Sequence, residues 1–484
     1  MHHDLDAEAS DSGPGPATPP PFAAPVTTAG TRTGVTRREL IKWAGAGAGA
    51  AAVAGGTWVL ARDDGPRAAI PTYGPDEQGP AGSSNAPTAT DGEAPIGSVG
   101  AAPNAPTSNV RATSDLAARL LVVVEMGGGN DGLSMIVPYG MGAYYDLRQS
   151  TGIGADRVLA IDDEVGYPDT MPGLHRRGAA IVQGVGSPVP DGSHFEMMAR
   201  WWAGDTTRLG TYDTGFLGRL ADAIGDPAAA AVAVSTGGGN HPALIARLAA
   251  TMGISSLDAA GYLAGASDDD VLLRSFQRGL AAMASGDSDA LVARLRAANR
   301  QAIGFAETII EGDDHEGEDG YPDSDLGRSL ALATRLFTAD TGVRIVHVPM
   351  GGDFDTHEGH VDRHAELMRT FDEAVNAFLD DLAAQDLVDR VLIMTTSEFG
   401  RRARDNGSSG LDHGTASNTL LLGPVNAGRY GEQPSLTSLD ADDNFVATVG
   451  FDQYYATVAE SWFGVPASDV LARDARPIDG IIAT

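Results

Sequence analysis

The sequence predicts an α/β domain on a largely parallel sheet, and three observations carry that reading. Short apolar, β-branched runs recur at 120–124, 180–185, 231–235, 343–348, 391–396 and 419–422. Helical stretches separate several of them. In 361–382, Leu367, Phe371, Val375, Phe378 and Leu382 keep a helical spacing. Strands that alternate with helices are the pattern of parallel strands joined by crossovers. A long helical insertion is expected over about 271–311, ending in an acidic loop at 311–325. No internal repeat of solenoid period interrupts this single domain of 116–484.

The N-terminal part reads differently. Arg37 and Arg38, then Leu40, Ile41 and Lys42, precede a weakly apolar run over 43–61. This is the pattern of a twin-arginine export signal, with cleavage expected after Ala61. The run is too poor in Leu, Ile and Phe to make a stable membrane span. Segments 1–35 and 62–115 are rich in Ala, Pro, Gly, Thr and Ser, so they are expected to form a disordered tail and linker. The expected organisation is thus a signal region at 1–61, a linker at 62–115 and the α/β domain. The expected location is the periplasm, cell envelope or exterior, with the twin-arginine translocation machinery as partner.

Composition narrows the chemistry. The chain carries 33 basic and 65 acidic residues, a net charge of −32, and Lys42 is its only lysine. A catalytic lysine, a Schiff base and a phosphate loop needing Gly-Lys-Ser/Thr are therefore excluded from the domain. Nucleic acid and anionic membranes find no basic footprint. With no cysteine, neither a disulfide nor a thiol nucleophile exists. Stability must come from a conventional core, which 42% hydrophobic residues allow.

In open α/β sheets, ligands gather beyond the carboxyl ends of the strands, so the residues after each apolar run are the candidates. After 120–124 comes Glu125-Met126-Gly127-Gly128-Gly129-Asn130-Asp131-Gly132. After 343–348, Asp353, Asp355, His357, Glu358, His360 and His364 crowd one strand-to-helix junction. Imidazole with carboxylate suits Zn, Mn or Fe, and carboxylates alone suit Mg or Ca. His360 and His364 lie four apart and share a helix face. After 391–396 come Ser397, Glu398, Phe399, Gly400 and Arg401, and Asp412-His413 precedes the run at 419–422. Finally, Ser193-His194 opens a helix, with Ser193 either its N-cap or a nucleophile at the positive helix end.

Taken in order, Gly128–Leu133 with its Gly-Gly-x-Asp-Gly-Leu pattern, Pro138-Tyr139-Gly140, Ser193-His194-Phe195, Asp355-Thr356-His357, Ser397-Glu398-Phe399-Gly400-Arg401 and Asp412-His413-Gly414 resemble one family. It is the exported bacterial family catalogued as domain of unknown function 1501, which looks like a branch of the alkaline phosphatase and sulfatase superfamily. The resemblance implies an alkaline-phosphatase-like, three-layer α/β/α sandwich with metals at the strand ends. Residue by residue, it implies Asp131, Asp355, His357, Glu398 and His413 as metal ligands, and the strand-end clusters add His360 and Asp412 as candidates. Ser193 stands as nucleophile, and His194 and Arg401 as stabilisers of charge. Departures are visible. The superfamily has Asp-His where this chain has Glu398-Phe399, Asp353 is inserted before Phe354, and His360 stands where the family often has glutamine. The implied function is metal-dependent hydrolysis of a small anionic phosphate or sulfate ester, with Zn, Mn, Mg or Ca. A non-catalytic envelope or secreted binding protein on the same fold is the alternative.

Overall fold

Alternation within the strands builds two cores. In β1 (Leu120–Glu125), Val122 and Val124 enter one apolar cluster, while Leu121 and Val123 enter another on the opposite face. A strand buried on both faces needs a continuous apolar run, which is why these segments read as they do. The computed structural model describes residues 116, 118–207, 213–226, 229–256, 301–309, 320–339 and 341–483.

A small antiparallel pair, β2 (Val158–Ala160) and β3 (Gly166–Pro168), stands apart. The main sheet holds β1, β4 (Ala180–Gly186), β5 (Ala233–Ser235), β6 (Thr251–Gly253), β7 (Ile345–Pro349), β8 (Val391–Thr396), β9 (Ser417–Leu422), β10 (Gly428–Gly431) and β11 (Val449–Gly450). Its order is β10-β4-β9-β8-β1-β7-β5-β6, with β11 also on β4. The pairs β1/β7, β1/β8, β5/β7, β5/β6, β4/β10 and β4/β11 are parallel, and β9 runs antiparallel to both neighbours. The sheet is largely parallel, as expected. Because β9 is reversed, the residues before it lie at the same edge as those after β1, β4, β5, β7 and β8. That edge collects the chemistry.

Helices cover both faces, giving three layers. The helix His360–Ala384 packs Met368, Phe371, Val375, Phe378 and Leu382 onto one face, beside Leu330 and Leu336 of Asp325–Thr338. The buried stripe uses Met368 where the spacing favoured Leu367, which is only partly buried. On the other face lie Met197 and Trp201 of His194–Ala203, Leu220 of Phe216–Ile224, and Tyr454 and Trp462 near the C-terminus. The insertion expected at 271–311 falls outside the described residues except for 301–309, which are helical. The export signal and linker also lie outside them. Among the described residues, no helix is long and apolar enough to cross a membrane.

Candidate metal centre at the carboxyl edge of the sheet

Three imidazoles and one carboxylate converge beyond the sheet edge. His194 opens the helix after β4, Asp355 and His357 follow β7, and His413 precedes β9. His413 Nε2 lies 3.0 Å from His194 Nε2 and 2.9 Å from His357 Nε2. Asp355 Oδ1 lies 3.1 Å from His413 Nε2 and 3.0 Å from His357 Nε2, and Asp355 Oδ2 is 3.7 Å from His194 Nε2. All four side chains are partly open to solvent.

The outer ring nitrogens decide the protonation pattern. His194 Nδ1 faces Glu398 Oε1 at 2.7 Å, His357 Nδ1 faces Asp412 Oδ1 at 2.8 Å, and His413 Nδ1 faces the Gly192 carbonyl at 2.8 Å. Each of these partners only accepts, so each Nδ1 carries the hydrogen and donates it. His413 Nε2 then lies about 3 Å from the Nε2 atoms of both other histidines and from Asp355, crowding that a cation would relieve, and His194, Asp355 and His413 bring one ligand atom each within 4.8 Å of one another. Metal-bound histidines are oriented in this way, with the outer N–H given to a carboxylate or carbonyl. The donor set therefore fits a divalent ion of the Zn class. The Glu398 hydrogen bond pushes the His194 pKa up, and burial pushes that of His413 down. A proton at Nε2 thus competes with the ion.

Local backbone geometry places this set. The turn after β1 passes through Gly128 and Gly129 at positive φ. A Cβ at Gly128 would sit 2.6 Å from the Asp355 nitrogen, and one at Gly129 would strike the Phe399 ring. That closeness lets the Gly128 N–H donate to Glu398 Oε1 at 2.9 Å. It also offers the Gly128 and Gly129 carbonyls to Arg401.

Several residues expected at the centre take other places. Asp131 has other partners. It is buried, caps the short helix Gly132–Met135, and forms a bidentate pair with Arg148 at 2.9 Å for both bonds. Burial pushes its carboxyl pKa up, but Arg148 and His360 outweigh this and hold it well below the usual range. His360 turns to the same pocket, 3.4 Å from Asp131 Oδ2, with Ser134 and Thr356 on its two nitrogens at 3.0 and 2.7 Å. Glu398 and Asp412 hold outer nitrogens rather than entering the centre. Arg401 is buried and spends its N–H groups on the carbonyls of Gly128, Gly129, Phe354 and Leu411 and on Asp355. Buried and engaged in this way, it stiffens Asp355. Ser193 caps its helix through the Glu196 N–H at 3.5 Å and is exposed. Where the resembled superfamily has an imidazole, the Phe399 ring packs on His194 and His413 with centroids 4.8 and 4.9 Å away. His194, expected to stabilise charge, supplies the third imidazole.

Two histidines escaped the sequence reading. His347 lies inside β7 and His241 follows β5, and both point at Glu125. A polar residue breaking an apolar run was the signal for His347, and the strand-end rule was the signal for His241.

Solved structures similar to this chain include the lipoteichoic acid synthase LtaP from Listeria monocytogenes, at 10% identity over 73% of this chain and 74% of that one, TM-score 0.34. The alkaline phosphatase of the Antarctic bacterium TAB5 is similar at 11% identity over 63% and 92%, TM-score 0.30. The PsFucS1 sulfatase from Pseudoalteromonas sp. is similar at 12% identity over 76% and 74%, TM-score 0.37. Likenesses this distant carry nothing about chemistry. No curated protein matches the chain. Residues 170–457 match the family described as "Protein of unknown function (DUF1501)", a span that holds all four converging side chains and well over half of the sequence, and the chain belongs to that family.

Proposed function

We propose that this chain is an exported, metal-dependent hydrolase of phosphate or sulfate esters. The observation that carries the reading is the gathering of His194, His357 and His413 about Asp355 at a solvent-open sheet edge, each imidazole held at its outer nitrogen by an acceptor. His194, His357, His413 and Asp355 would hold the ion. When bound, a divalent ion supplies Lewis-acid polarisation of an ester oxygen and a lowered pKa for the attacking group. Glu398, Asp412 and the Gly192 carbonyl keep the imidazoles in one tautomer and orientation. Ser193, exposed at the helix start beside His194, would be the attacking hydroxyl in this reading. Arg401 neutralises part of the Asp355 charge, so the centre keeps net positive character toward an anionic ester.

A non-catalytic binding protein on the same fold is favoured by one observation. Asp131, expected as a metal ligand, and Arg401, expected to stabilise charge, are both engaged in buried contacts. Elemental analysis of full-length protein purified without chelator separates the readings. The hydrolase reading expects one equivalent or more of metal, lost in His357→Ala, with chelator-sensitive turnover of p-nitrophenyl phosphate or sulfate. Metal-free protein, unshifted in Tm by Zn, Mn, Mg or Ca and inactive on both esters, supports the binding protein. Export is tested separately. Arg37→Lys with Arg38→Lys should strand the precursor in the cytoplasm, because the address is read from the guanidinium pair. Normal appearance of the double variant outside the cytoplasm refutes it.

A further inference from the structure

We propose a second metal centre, formed by Glu125, His241 and His347 and taking a divalent transition ion of the Zn class. It shares no ligand with the first centre and does not depend on the hydrolase reading. β1 ends on Glu125, β7 places His347 beside Val123 in the neighbouring register, and the loop after β5 brings His241 to the same edge.

The distances suit an ion as well as the one direct hydrogen bond, His347 Nε2 to Glu125 Oε2. Glu125 Oε2 lies 3.2 Å from His347 Nε2 and 3.5 Å from His241 Nε2. A charge-assisted N–H to carboxylate bond runs about 2.7–2.9 Å, so both contacts are long. Four ligands at about 2.0–2.2 Å around a tetrahedral ion stand roughly 3.3–3.6 Å from one another, which brackets or nearly meets both. All three ligand atoms fall within 4.8 Å of one another. Two imidazoles and one carboxylate are also the ligand types such ions select.

The surroundings hold the set in place. Trp202 Nε1 donates to Glu125 Oε2 at 3.0 Å, and Ser235 Oγ stands 3.1 Å from His347 Nδ1. The His241 and His347 rings stack with centroids 3.9 Å apart, and Trp202 meets His241 edge-on at 4.9 Å. Burial drives His347 toward its neutral, ligating form. A cavity of about 20 Å³, lined in part by Glu125, Trp202, His347 and Glu398, leaves room for one water-sized ligand. His241 is the part that must adjust. Its Nδ1 faces the Ala243 N–H at a long 3.3 Å, and ligation by Nε2 releases that contact. His241 is partly exposed, which supplies the entry path.

The test uses the full chain stripped by chelator and titrated with Zn²⁺ by calorimetry, and with Co²⁺ by visible absorption and tryptophan quenching. Wild type should take up two equivalents. His357→Ala, which removes a ligand of the first centre, should still take up one, with quenching that is lost in Trp202→Phe. Adding His241→Ala to that background should weaken the remaining equivalent tenfold or more. Because His241 is partly exposed, this variant should fold, and the near-isosteric Glu125→Gln must show the same loss. A wild type that binds a single equivalent, abolished by His357→Ala, overturns the second centre and leaves the first standing. So does a His241→Ala protein that binds two equivalents with unchanged affinity, since Glu125 is then simply a carboxylate satisfied by three N–H donors.

Discussion

Removing either half of the Asp131–Arg148 pair should cost stability and leave metal content untouched. The pair is sealed, with side-chain exposures of 1% and 0%. Asp131 accepts both guanidinium bonds and the Ser134 N–H. Arg148 in turn holds the carbonyls of Ala403 and Arg402 at 2.8 and 2.9 Å. Asp131→Asn keeps the shape and the helix cap, since asparagine caps as well as aspartate. It strands a buried guanidinium without its counter-charge, which costs about 3–5 kcal/mol. Arg148→Met strands the carboxylate and two carbonyls, at a similar cost.

A domain of about 370 residues has an unfolding entropy near 0.8 kcal/mol/K, so either change should lower Tm by roughly 4–6 °C. Asp131→Leu with Arg148→Met, which removes both charges, should recover most of the loss. Calorimetry of the apo proteins and elemental analysis of the same preparations give the two readouts. If Asp131→Asn melted within 1 °C of wild type, or lost metal as His357→Ala does, Asp131 would be a ligand after all and the structural assignment would fail.

Three further outcomes are expected. Glu398→Gln keeps an acceptor for the Gly128 N–H but removes the anionic partner of His194, so Zn²⁺ affinity should fall about tenfold to a hundredfold, and an unchanged titration would refute the orienting role. His364 is buried against Asn130 Oδ1 at 2.9 Å, and burial lowers its pKa to about 3. The unfolded chain therefore binds the extra proton below about pH 6.5, so this residue's contribution is complete above that pH and is lost progressively down to about 3, at up to about 1.4 kcal/mol per pH unit. Denaturant titrations at pH 4–6 should show a flatter pH slope in His364→Asn, and an identical slope would rule the residue out. Arg402 is exposed, with its Nε 3.4 Å from the His413 carbonyl. Arg402→Gln should raise KM for an anionic ester roughly two- to fivefold at low salt, with the difference fading as salt screens it, and equal KM values at low salt would exclude the contact.

Much of the fold was legible because it rests on signals that survive in a single sequence. The apolar runs found at 120–124, 180–185 and 391–396 became β1, β4 and β8 with shifts of a residue or so. The strand-end rule also led to Asp355, His357 and His413, because β7 and β9 deliver their flanking residues to one edge. It also led to Asp131. That residue lies six positions past the last residue of β1, beyond two glycines at positive φ, and the turn carries it to a buried helix start beside Ser417 and Asn418, where Arg148 pairs with it. Its partner Arg148 carried no signal, since nothing in a local pattern marks an arginine as the counter-ion of a residue 17 positions away. The roles of Glu398 and Asp412 were hidden for a related reason. A carboxylate that ligates an ion and one that holds an imidazole occupy the same motif, and only the direction of the side chain separates them.

The arginines show how a motif and a fold can use one side chain differently. With lysine confined to Lys42, every cation of the domain is a guanidinium or an imidazole, and an arginine in a motif beside a carboxylate reads as a clamp for an anionic ester. A guanidinium, however, has five N–H donors, and burial obliges nearly all of them to be satisfied. Arg148 and Arg401 meet that demand with backbone carbonyls brought close by tight turns, and each gives its remaining donors to one aspartate. The same side chain that could grip a substrate is thereby used to fix loop against loop at the sheet edge. What positive charge the centre can offer an anion must then come from a bound ion, from protonated His194, or from Arg402 at the rim. The first two compete for the same nitrogen, so under the hydrolase proposal a carboxyl edge so rich in acids would draw an anionic ester chiefly through a bound ion.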